Sequence, residues 1–546
     1  MTARRLKVLG ALMAPLPVLA VLGSPAAQAA PVPNVAVHGD VIPAVQQAVR
    51  HGAVAPSQRI SVTVSLAARN EAGLDAFLKQ VADPKSKLYK HYLTVAQFAA
   101  RYGASDASVA QVTGYLKSQG LTVAPVTGGH LSVTASGTAR QIGKAFGVNL
   151  VNFTDKKTKQ AFYANDADPK VPAALAANVV DVAGLNNHAQ HTHFAQRKVT
   201  PNAVSHAISG LTPTQARKAY DLTSLVSGGY DGTGQTISLV EFSTFTQSDV
   251  TAYDSHFGLS PSTPTVVKVS GGTTDSSGKD EVELDIEVIQ ALAPGAKIKV
   301  YEAPNTVAGD EAMYSALASS AAPIVSISWG ENEAAMTSAN RSADNTTYKE
   351  DAAQGQSVYA ASGDSGSDDA GNGGTSVDFP AADPYVTGVG GTTLSLTSSN
   401  AWSDETAWSG SGGGVSSYYA TPSYQSSVNS GSKRTVPDVA AVADPSTGWA
   451  IYEAGSWQEF GGTSAAAPNW AAFTAIYDDY AAASSESSLG YANSAIYTDA
   501  TGSNYSNDFH DVTSGSNGAY SADTGYDEVT GWGSYDGANF ITDNLG

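Results

Sequence analysis

The chain has 546 residues, of which 42% are hydrophobic and 15% charged, and it has a formal net charge of −20 and no cysteine. This composition indicates a folded protein of two or three domains, and it excludes disulfides, thiolate metal sites and cysteine nucleophiles. Residues 1–208 carry 20 Lys and Arg against 9 Asp and Glu, whereas residues 209–546 carry 10 against 41. The basic residues are scattered and lack interleaved aromatic residues for base stacking, so we expect no nucleic-acid partner. Instead, the two oppositely charged parts are expected to attract near neutral pH and to loosen on acidification.

Residues 1–30 are predicted to be a secretory signal. Three basic residues among the first seven precede an apolar run at 8–22 and a small-residue cleavage pattern at 27–29. The run is too short to span a bilayer, and no later apolar stretch reaches about 18 residues. The sequence therefore predicts a secreted, extracellular protein without membrane contact once the signal is removed.

Residues 31–185 are predicted to form an α+β prodomain. Alternating apolar residues indicate strands, and apolar residues at helical spacing indicate helices. The predicted strands are 60–66, 121–126, 131–135 and 148–153, and the predicted helices are 71–81, 95–102, 107–119 and 138–146.

Residues 186–209 are predicted to be an exposed processing linker. The segment is rich in Asn, Gln, Thr and Ser and contains His188, His191, His193 and His206. Such a tract is typical of a cleavable surface segment with protonatable side chains. Metal binding by the histidines is the alternative interpretation.

From residue 210 to 546 the pattern changes to apolar, β-branched runs that alternate with helical segments. This pattern indicates an α/β domain with a parallel sheet covered by helices on both faces. In such a domain, active residues gather at the carboxyl ends of the strands. Trp329 and Asp364 each follow a predicted strand closely, and Glu241 lies at the carboxyl end of one. The predicted strands are 236–242, 297–301, 324–328, 357–361 and 386–389.

A predicted helix at 280–290 carries two pairs of carboxylates at i, i+4 spacing. Glu281 pairs with Asp285, and Glu283 pairs with Glu287. Two carboxylates so close disfavour double ionisation, so a pair can hold one proton and transfer it at acid pH. Spacing alone distinguishes neither pair from the other, nor either pair from a solvated acidic face.

The string GGTSAAAP at positions 461–468 precedes a predicted helix at 469–482. Small residues around Ser464 allow a substrate backbone to approach, and the start of the following helix favours a developing negative charge. These features suit a nucleophile, although an isolated serine here would equally suit a helix cap. A Ser-His-Asp enzyme with this serine motif would normally have its catalytic histidine in a His-Gly-Thr string, and the sequence contains no such string. His256 and His510, the two histidines after residue 209, lack surroundings suited to a catalytic base.

Together, the acid-bearing helix and the Gly-Thr-Ser-Ala string resemble the sedolisins, the serine-carboxyl peptidases. The stretch DPKSKLYKHYLT at 83–94 resembles the start of their activation domain. This resemblance implies a subtilisin-like peptidase domain after a ferredoxin-like prodomain, and a Ser-Glu-Asp triad. By motif, it implies the following roles: Ser464 as nucleophile, Glu281 as base, Asp285 behind that base, Asp364 in the oxyanion hole, and Glu241 and Trp329 in an extended proton network.

The same resemblance implies one calcium ion near the C-terminus. Carboxylates and turn carbonyls suit Ca²⁺, which prefers six or more oxygen ligands. The implied ligands are the side chains of Asp511 and Asp527 and the backbone carbonyls of Val512, Asp523 and Gly525. The family usually has glycine where this chain has Asp523.

The sequence therefore predicts a secreted, self-processing endopeptidase that acts on proteins or peptides at acid pH. Its own prodomain is expected to act as inhibitor or folding chaperone, and a monomer is the default expectation. Two alternatives stay open. A subtilisin-type Ser-His-Asp protease would depend on His256 or His510, and a non-catalytic secreted binding protein on the same scaffold would leave the prodomain uncleaved.

Overall fold

The computed structural model describes residues 1–2, 33–188, 191–198 and 208–545. Residues 3–30 of the predicted signal segment lie outside this range, as do residues 189–190 and 199–207 of the predicted linker, including His206. None of the described helices is both long and apolar enough to cross a membrane.

The prodomain is built on an antiparallel four-stranded sheet with the order β4-β5-β3-β9. With its crossing helices, this order is that of a ferredoxin-like fold, as predicted. Asn70 caps α1, and Thr138 with Gln141 forms a capping box at α4. The elements are β1 (Asn34–Ala36), β2 (Val49–Ala53), β3 (Arg59–Leu66), α1 (Glu71–Ala82), α2 (Val95–Arg101), α3 (Asp106–Ser118), β4 (Thr122–Val123), β5 (Ser132–Thr138), α4 (Ala139–Phe146), β6 (Leu150–Thr154), β7 (Ala161–Asn165), β8 (Lys170–Pro172), α5 (Ala173–Ala176) and β9 (Val179–Ala183).

Between the two domains, the linker contributes two short strands, β10 (Thr192–His193) and β11 (Gln196–Arg197). The following domain begins with α6 (Pro213–Ala219), α7 (Thr223–Ser227), β12 (Thr236–Glu241), α8 (Gln247–Phe257), β13 (Thr265–Lys268), α9 (Lys279–Leu292), β14 (Lys297–Glu302), α10 (Val307–Ser320), β15 (Ile324–Ile327), β16 (Trp329–Asn332), α11 (Ser338–Gln354), β17 (Ser357–Ala361), β18 (Asp378–Phe379), β19 (Thr387–Leu396) and β20 (Trp402–Ala407). It continues with β21 (Gly414–Ala420), β22 (Lys433–Val436), β23 (Val439–Val442), β24 (Trp449–Glu453), β25 (Ser456–Gly461), α12 (Thr463–Ser484), α13 (Ala492–Ala500), α14 (Tyr505–Asp508), β26 (Phe509–His510), β27 (Ser534–Tyr535) and α15 (Gly537–Leu545).

A large sheet with the order β13-β14-β12-β15-β17-β19-β20 organises this second domain, and β23 also pairs with β19. All of these pairings are parallel except that of β19 with β20. The predicted α/β class with a covered parallel sheet is therefore confirmed, and each of the five predicted strands corresponds to an observed one.

Two buried helices carry the central side chains. Helix α9 is buried from Glu281 to Leu292, and α12 is buried from Thr463 to Asp478. They pack against each other, and α12 also packs on the sheet strands β15 and β17. Since α12 begins directly after β25, Ser464 lies in its first turn, where the sequence predicts a strand-to-helix junction.

The linker is not exposed throughout, which corrects the prediction for residues 186–209. His191 and Phe194 are buried, with 4% and 8% of their surface exposed. The physical reason is strand pairing: β10 pairs antiparallel with β16, and β11 pairs antiparallel with β25. The segment thus lies between two edges of the second domain.

The prodomain sheet contacts α10 and α11 through a cluster of buried carboxyl groups. Ser65 Oγ donates to Glu311 Oε2 at 2.7 Å, and the side chain of Asp181 hydrogen-bonds that of Glu311. Burial raises the pKa of both carboxyls, most strongly for Glu311. The other buried acids of the cluster are Asp40, Asp310, Asp344 and Glu331. Arg341 is the cation near Glu331, and His191 lies 3.3 Å from Asp310, where burial lowers the pKa of the imidazole to about 4.

At the edge of this interface, a cation of the acidic second domain pairs with anions of the basic prodomain, the reverse of what the net charges of the two domains suggest. Lys349 of the acidic second domain lies 2.9 Å from Asp75 and 3.2 Å from Glu71 of the basic prodomain. Local contacts at the interface therefore do not follow the overall charge difference between the domains.

The carboxyl cluster predicts that the docked chain loses stability as pH rises. Because folding raises the pKa of Asp181 and Glu311, their contribution is fully present below the ordinary carboxyl range and is lost as pH rises through the raised values. In the Ser464→Ala chain, Asp181→Asn should lessen the fall in unfolding midpoint between pH 5 and pH 8 by about 1 °C, the effect of roughly 1 kcal/mol on a chain of this length. Exposed Asp404→Asn is the control, and an equal fall in both variants would contradict this account.

Candidate active site

Ser464 and Glu281 form a direct hydrogen bond at the centre of the second domain. Ser464 Oγ donates to Glu281 Oε2 at 2.8 Å, and both side chains are fully buried. The remaining oxygen, Glu281 Oε1, has no hydrogen-bond partner among the described residues. A serine hydroxyl bonded to a carboxylate can lose its proton to that carboxylate as the oxygen attacks an electrophile.

Asp285 lies one turn after Glu281 on the same face of α9, as the i, i+4 spacing predicts. Its Oδ1 accepts a hydrogen bond of 2.9 Å from Ser328 Oγ. Burial, and then the neighbouring charges of Glu241 and Glu281, raise the pKa of Asp285 well above its ordinary value. This carboxyl therefore holds a proton at pH values where an exposed aspartate is ionised.

Glu241, at the end of β12, extends this chain of acids. Its side chain hydrogen-bonds Asp285, and its Oε2 accepts a bond of 2.8 Å from Trp329 Nε1. Two ionised carboxylates can only accept, so the contact between Glu241 and Asp285 requires a proton on one of them. Burial and the charge of Glu281 raise the pKa of Glu241 well above its ordinary value.

The second carboxylate pair of α9 contacts other parts of the domain. Glu283 Oε1 accepts a hydrogen bond of 2.8 Å from the Thr246 backbone N–H, and Glu287 Oε2 accepts one of 2.8 Å from that of Tyr452. The structure therefore resolves the alternative that spacing left open: Glu281, and not Glu283 or Glu287, bonds Ser464.

Asp364 lies beside the start of α12. Its Oδ1 accepts hydrogen bonds of 2.8 Å from both the backbone N–H and the hydroxyl of Thr463. Burial raises the pKa of Asp364 to about 7, against the opposing effect of the Thr463 hydrogen bonds. Oδ2 has no hydrogen-bond partner among the described residues by distance, and the Gln196 side chain of the linker approaches this carboxyl closely enough to lower its pKa.

Gly462, with a φ of +98°, allows a close approach of two groups to this point. A β carbon at residue 462 would lie 1.7 Å from the Phe194 carbonyl oxygen and 2.7 Å from Asp364 Oδ2. The Phe194 carbonyl and the free oxygen of Asp364 therefore meet over the same glycine, where any side chain would separate them.

The linker crosses the site with a peptide bond at the reacting groups. The Phe194 backbone N–H donates to Ser464 Oγ at 3.2 Å, and that of Ala195 donates to Glu281 Oε2 at 2.6 Å. Thr192 lies opposite Gly330 in β16, and Gln196 lies opposite Gly461 in β25. The bond between Phe194 and Ala195 is thus held at the serine, with a strand pairing on each side.

Sequence reasoning missed this placement of the linker. The strands on either side of Phe194 have two residues each, too few to give an alternating pattern, and their partners lie more than 130 residues away in sequence. A segment that pairs with distant edges has no local signal. One feature of composition was visible, namely a phenylalanine within a polar tract.

His193 contacts the site from the linker. Its Nδ1 lies 3.5 Å from Glu281 Oε2, and its ring packs edge-on against Trp329 with the ring centroids 5.1 Å apart. Burial disfavours the charged imidazolium, but the hydrogen bond and charge of Glu281 outweigh it and raise the pKa of His193.

The two histidines of the subtilisin-type alternative have other partners. His256 packs against Trp457 with the ring centroids 4.8 Å apart, and His510 stacks on Trp402 at 4.1 Å. Burial lowers the pKa of His510 to about 4. Neither ring is among the hydrogen-bond partners of Ser464 in the described residues.

The linker histidines do not converge on one point in the part of the chain that the structure describes. There, no group of three or more His, Cys, Asp or Glu side chains is arranged to hold a metal ion. His191 stacks on Phe242 and His193 contacts Glu281, so the structure gives these two rings other surroundings.

The residues expected to bind calcium lie together in two adjoining loops. Asp511 accepts hydrogen bonds from the Gly525 backbone N–H at 3.0 and 3.1 Å, and Asp527 Oδ2 accepts one from that of Asp523 at 3.1 Å. Asp523 is not among the residues with positive φ, so the backbone there does not require the glycine usual in the family. Val512, buried with 1% of its surface exposed, follows Asp511 directly.

Comparisons with known proteins cover both domains. Residues 46–188 match the family described as the pro-kumamolisin activation domain, and residues 268–533 match the subtilase family. The chain is 36% identical over 526 residues to kumamolisin of Bacillus sp. (strain MN-32), covering 89% of this chain and 92% of that protein. It is 31% identical to sedolisin of Pseudomonas sp. (strain 101), covering 88% and 86%. The solved structure of Pseudomonas sedolisin complexed with two molecules of pseudo-iodotyrostatin matches with a TM-score of 0.55 and 30% identity, over 62% of this chain and 98% of that chain.

Proposed function

Because the chain belongs to the sedolisin family of serine-carboxyl peptidases, we propose that it is a secreted endopeptidase that first cleaves its own linker at acid pH. The bond it cuts is that between Phe194 and Ala195. The observation that carries this proposal is the position of that bond, with the Phe194 N–H on Ser464 Oγ and the Ala195 N–H on Glu281 Oε2.

The first step is attack by the serine. Glu281 takes the proton of Ser464 as Oγ bonds the Phe194 carbonyl carbon, which gives a tetrahedral intermediate. The 2.8 Å contact between the two side chains supports this transfer without an intervening group. A carboxylate is a weak base, so the site must compensate by stabilising the negative charge that forms on the carbonyl oxygen.

Asp364 supplies that stabilisation in its protonated form. A neutral carboxyl donates a hydrogen bond to the developing oxyanion, whereas an ionised one repels it. The pKa of Asp364, raised by burial to about 7, keeps the proton on this group through the acid range. The shared approach of Asp364 Oδ2 and the Phe194 carbonyl to Gly462 supports this role.

The intermediate collapses when Glu281 returns the proton to the leaving amine. Ala195 N lies 2.6 Å from Glu281 Oε2, so the carboxyl that took the serine proton is in reach of the departing nitrogen. The bond from carbon to nitrogen breaks, Ala195 leaves as an amine, and Phe194 stays esterified to Ser464 until water hydrolyses the ester. Asp285 and Glu241, buried behind Glu281 with raised pKa values, keep a separate proton between them, so the proton that Glu281 returns is the one it took from Ser464.

The prodomain acts as an inhibitor in cis while the linker is intact. Residues 191–198 cover the serine and both neighbouring strand edges, so a second polypeptide cannot enter. Protein or peptide substrates would take the same path after the cut. Export by the leader at 1–30 would deliver the uncut chain outside the cell, and the monomer stays our default.

We also propose that one calcium ion holds the C-terminal loops. Asp527 is buried with 3% of its surface exposed, and among the ion pairs of the described residues neither Asp511 nor Asp527 is bonded to Lys or Arg. The hydrogen-bond donors to Asp527 are instead backbone N–H groups and the Thr530 hydroxyl, and burial raises the pKa of Asp527 to about 6. A hard cation bound by these carboxylates, with carbonyls of Val512, Asp523 and Gly525, would offset the cost of that burial and hold the segment in place.

Self-cleavage is the direct test of the proposed function. On a shift of the secreted chain from pH 7 to pH 4, a fragment with the N-terminal sequence AQRKVT should form in the parent and not in Ser464→Ala. Glu281→Gln should slow the cut by about 10²–10⁴, since it removes the general base. Mass spectrometry and N-terminal sequencing measure both results.

Glu283→Gln is the matched control, because it changes the same helix on the face away from Ser464. It should cut at a rate close to that of the parent. Equal processing of the parent and Ser464→Ala would assign the cut to another protease, and no processing in either would favour the binding-protein alternative. Loss of the cut in His256→Ala or His510→Ala alone would favour the subtilisin-type mechanism.

The protonation of Asp364 predicts the pH range of activity. Because only the neutral form donates to the oxyanion, the rate should fall as pH rises through about 7, the pKa that burial gives this carboxyl. Asp364→Ala should lower kcat by about 10²–10³. Asp364→Asn keeps a donor at every pH, so its rate at pH 8 relative to pH 5 should exceed that of the parent. The same relative fall in parent and Asp364→Asn would assign the pH dependence to another group.

Removal of calcium should destabilise the protein. A ligand at about a hundred times its Kd adds roughly 2.7 kcal/mol to the stability of the folded state. We therefore expect a chelator to lower the unfolding midpoint of the Ser464→Ala chain by several degrees, and Ca²⁺ to restore it. Asp527→Asn should abolish the response, and exposed Asp404→Asn should keep it. A midpoint insensitive to chelator in the parent would contradict the calcium proposal.

A further inference from the structure

Beyond the scissile bond, the linker is held by a buried carboxylate of β25. Lys198 Nζ lies 2.9 Å from both Oε1 and Oε2 of Glu459 and also donates to the Ser446 carbonyl at 3.2 Å. The Lys198 backbone N–H donates to the Glu459 carbonyl at 2.8 Å. Main chain and side chain of one residue are thus both fixed by a single residue of the strand.

Glu459 is placed to contact a substrate side chain because β25 leads directly to Ser464. The strand ends at Gly461, three residues before Ser464, and Gln196 and Arg197 pair with Gly461 and Phe460. This register sets Lys198, the fourth residue after the proposed scissile bond, beside Glu459. Because Glu459 and Ser464 are a fixed distance apart along the chain, the Glu459 carboxylate contacts the substrate residue four positions after the bond that lies at Ser464.

The burial of Glu459 makes the contact selective. Only 6% of its side chain is exposed, against 35% for Lys198, while the neighbouring Arg197 is exposed to solvent. Among the described residues, the other side-chain partner of Glu459 is the Ser209 hydroxyl, and Lys198 is its only cationic partner. A buried carboxylate that loses its cation keeps the desolvation cost, so a neutral side chain at this position would bind worse.

We propose that Glu459 is a specificity residue that selects a lysine or arginine at the fourth residue after the bond to be cut. The inference rests on the proposed function and extends it to other substrates. After the cut, residues 195–198 remain as the new N-terminus of the enzyme, and a substrate would displace them from β25 to bind along the same path. The selected class is a polypeptide with a basic side chain at the fourth residue after the cut.

Peptides with the sequence of residues 191–199, HTHFAQRKV, test this directly with the self-processed enzyme near pH 5. Replacing the lysine by alanine should lower kcat/KM about tenfold, equivalent to about 1.4 kcal/mol, because the buried carboxylate loses its charged hydrogen-bond partner. The loss should lie in KM, because the contact is far from the reacting atoms and is made equally in ground and transition states. Replacing the neighbouring arginine should change kcat/KM less than twofold.

The enzyme variant Glu459→Gln should cleave the lysine and alanine peptides at nearly equal rates, and Glu459→Lys should prefer a peptide with glutamate at that position. Exposed Glu486→Gln is the control and should keep the parent's preference. An equal kcat/KM of the parent for both peptides would overturn the inference, as would a lysine preference that Glu459→Gln retains. The comparison of the two peptides uses only the parent enzyme, so it does not depend on the folding of a variant. Either of these outcomes would leave the proposed self-cleavage unaffected. A self-processed parent that cuts neither peptide would overturn this inference alone, because its own linker has then already been cleaved.

Discussion

A carboxylate buried without a cation must take up a proton or bear a large desolvation cost, and the active site is built from carboxyls in this situation. Asp285, Glu241 and Asp364 are buried, and burial is the largest cause of the raised pKa of each. A neutral carboxyl can donate a hydrogen bond, which an ionised one cannot. Below their raised pKa values, these buried acids can therefore act as hydrogen-bond donors.

The contact of Glu281 with Ser464 gains from the same arrangement. Ser464 Oγ and the Ala195 N–H both donate to Glu281 Oε2, whereas the neighbouring Asp285 and Glu241 have pKa values raised by burial. One helix thus carries two carboxyls with different roles, and the difference comes from their hydrogen-bond partners and not from their residue types.

The sequence predicted the large elements of the second domain well, because each has a local signal. The parallel strands are continuous apolar runs, and α9 and α12 have strong patterns of their own. Spacing on α9 could not choose Glu281 over Glu283, since that choice depends on which face meets α12. Resemblance to a family, and not periodicity, singled out Asp364. The path of residues 191–198 could not be predicted, because it depends on pairing with strand edges that lie far away in the chain.

The domain charges and the local contacts act in opposite directions as pH falls. Attraction between the basic prodomain and the acidic peptidase domain weakens when carboxylates are neutralised, and salt screens it further. The hydrogen bond between Asp181 and Glu311 requires a proton and so is favoured by acid. Acid also protonates Asp364, so the conditions expected to favour the proposed cut also favour this docking contact. Cleavage of the tether would change the balance, because it would turn an intramolecular contact with a high effective concentration into one between two separate chains. We therefore propose that the cut itself, more than the loss of interface contacts, is the event that would allow the prodomain to leave.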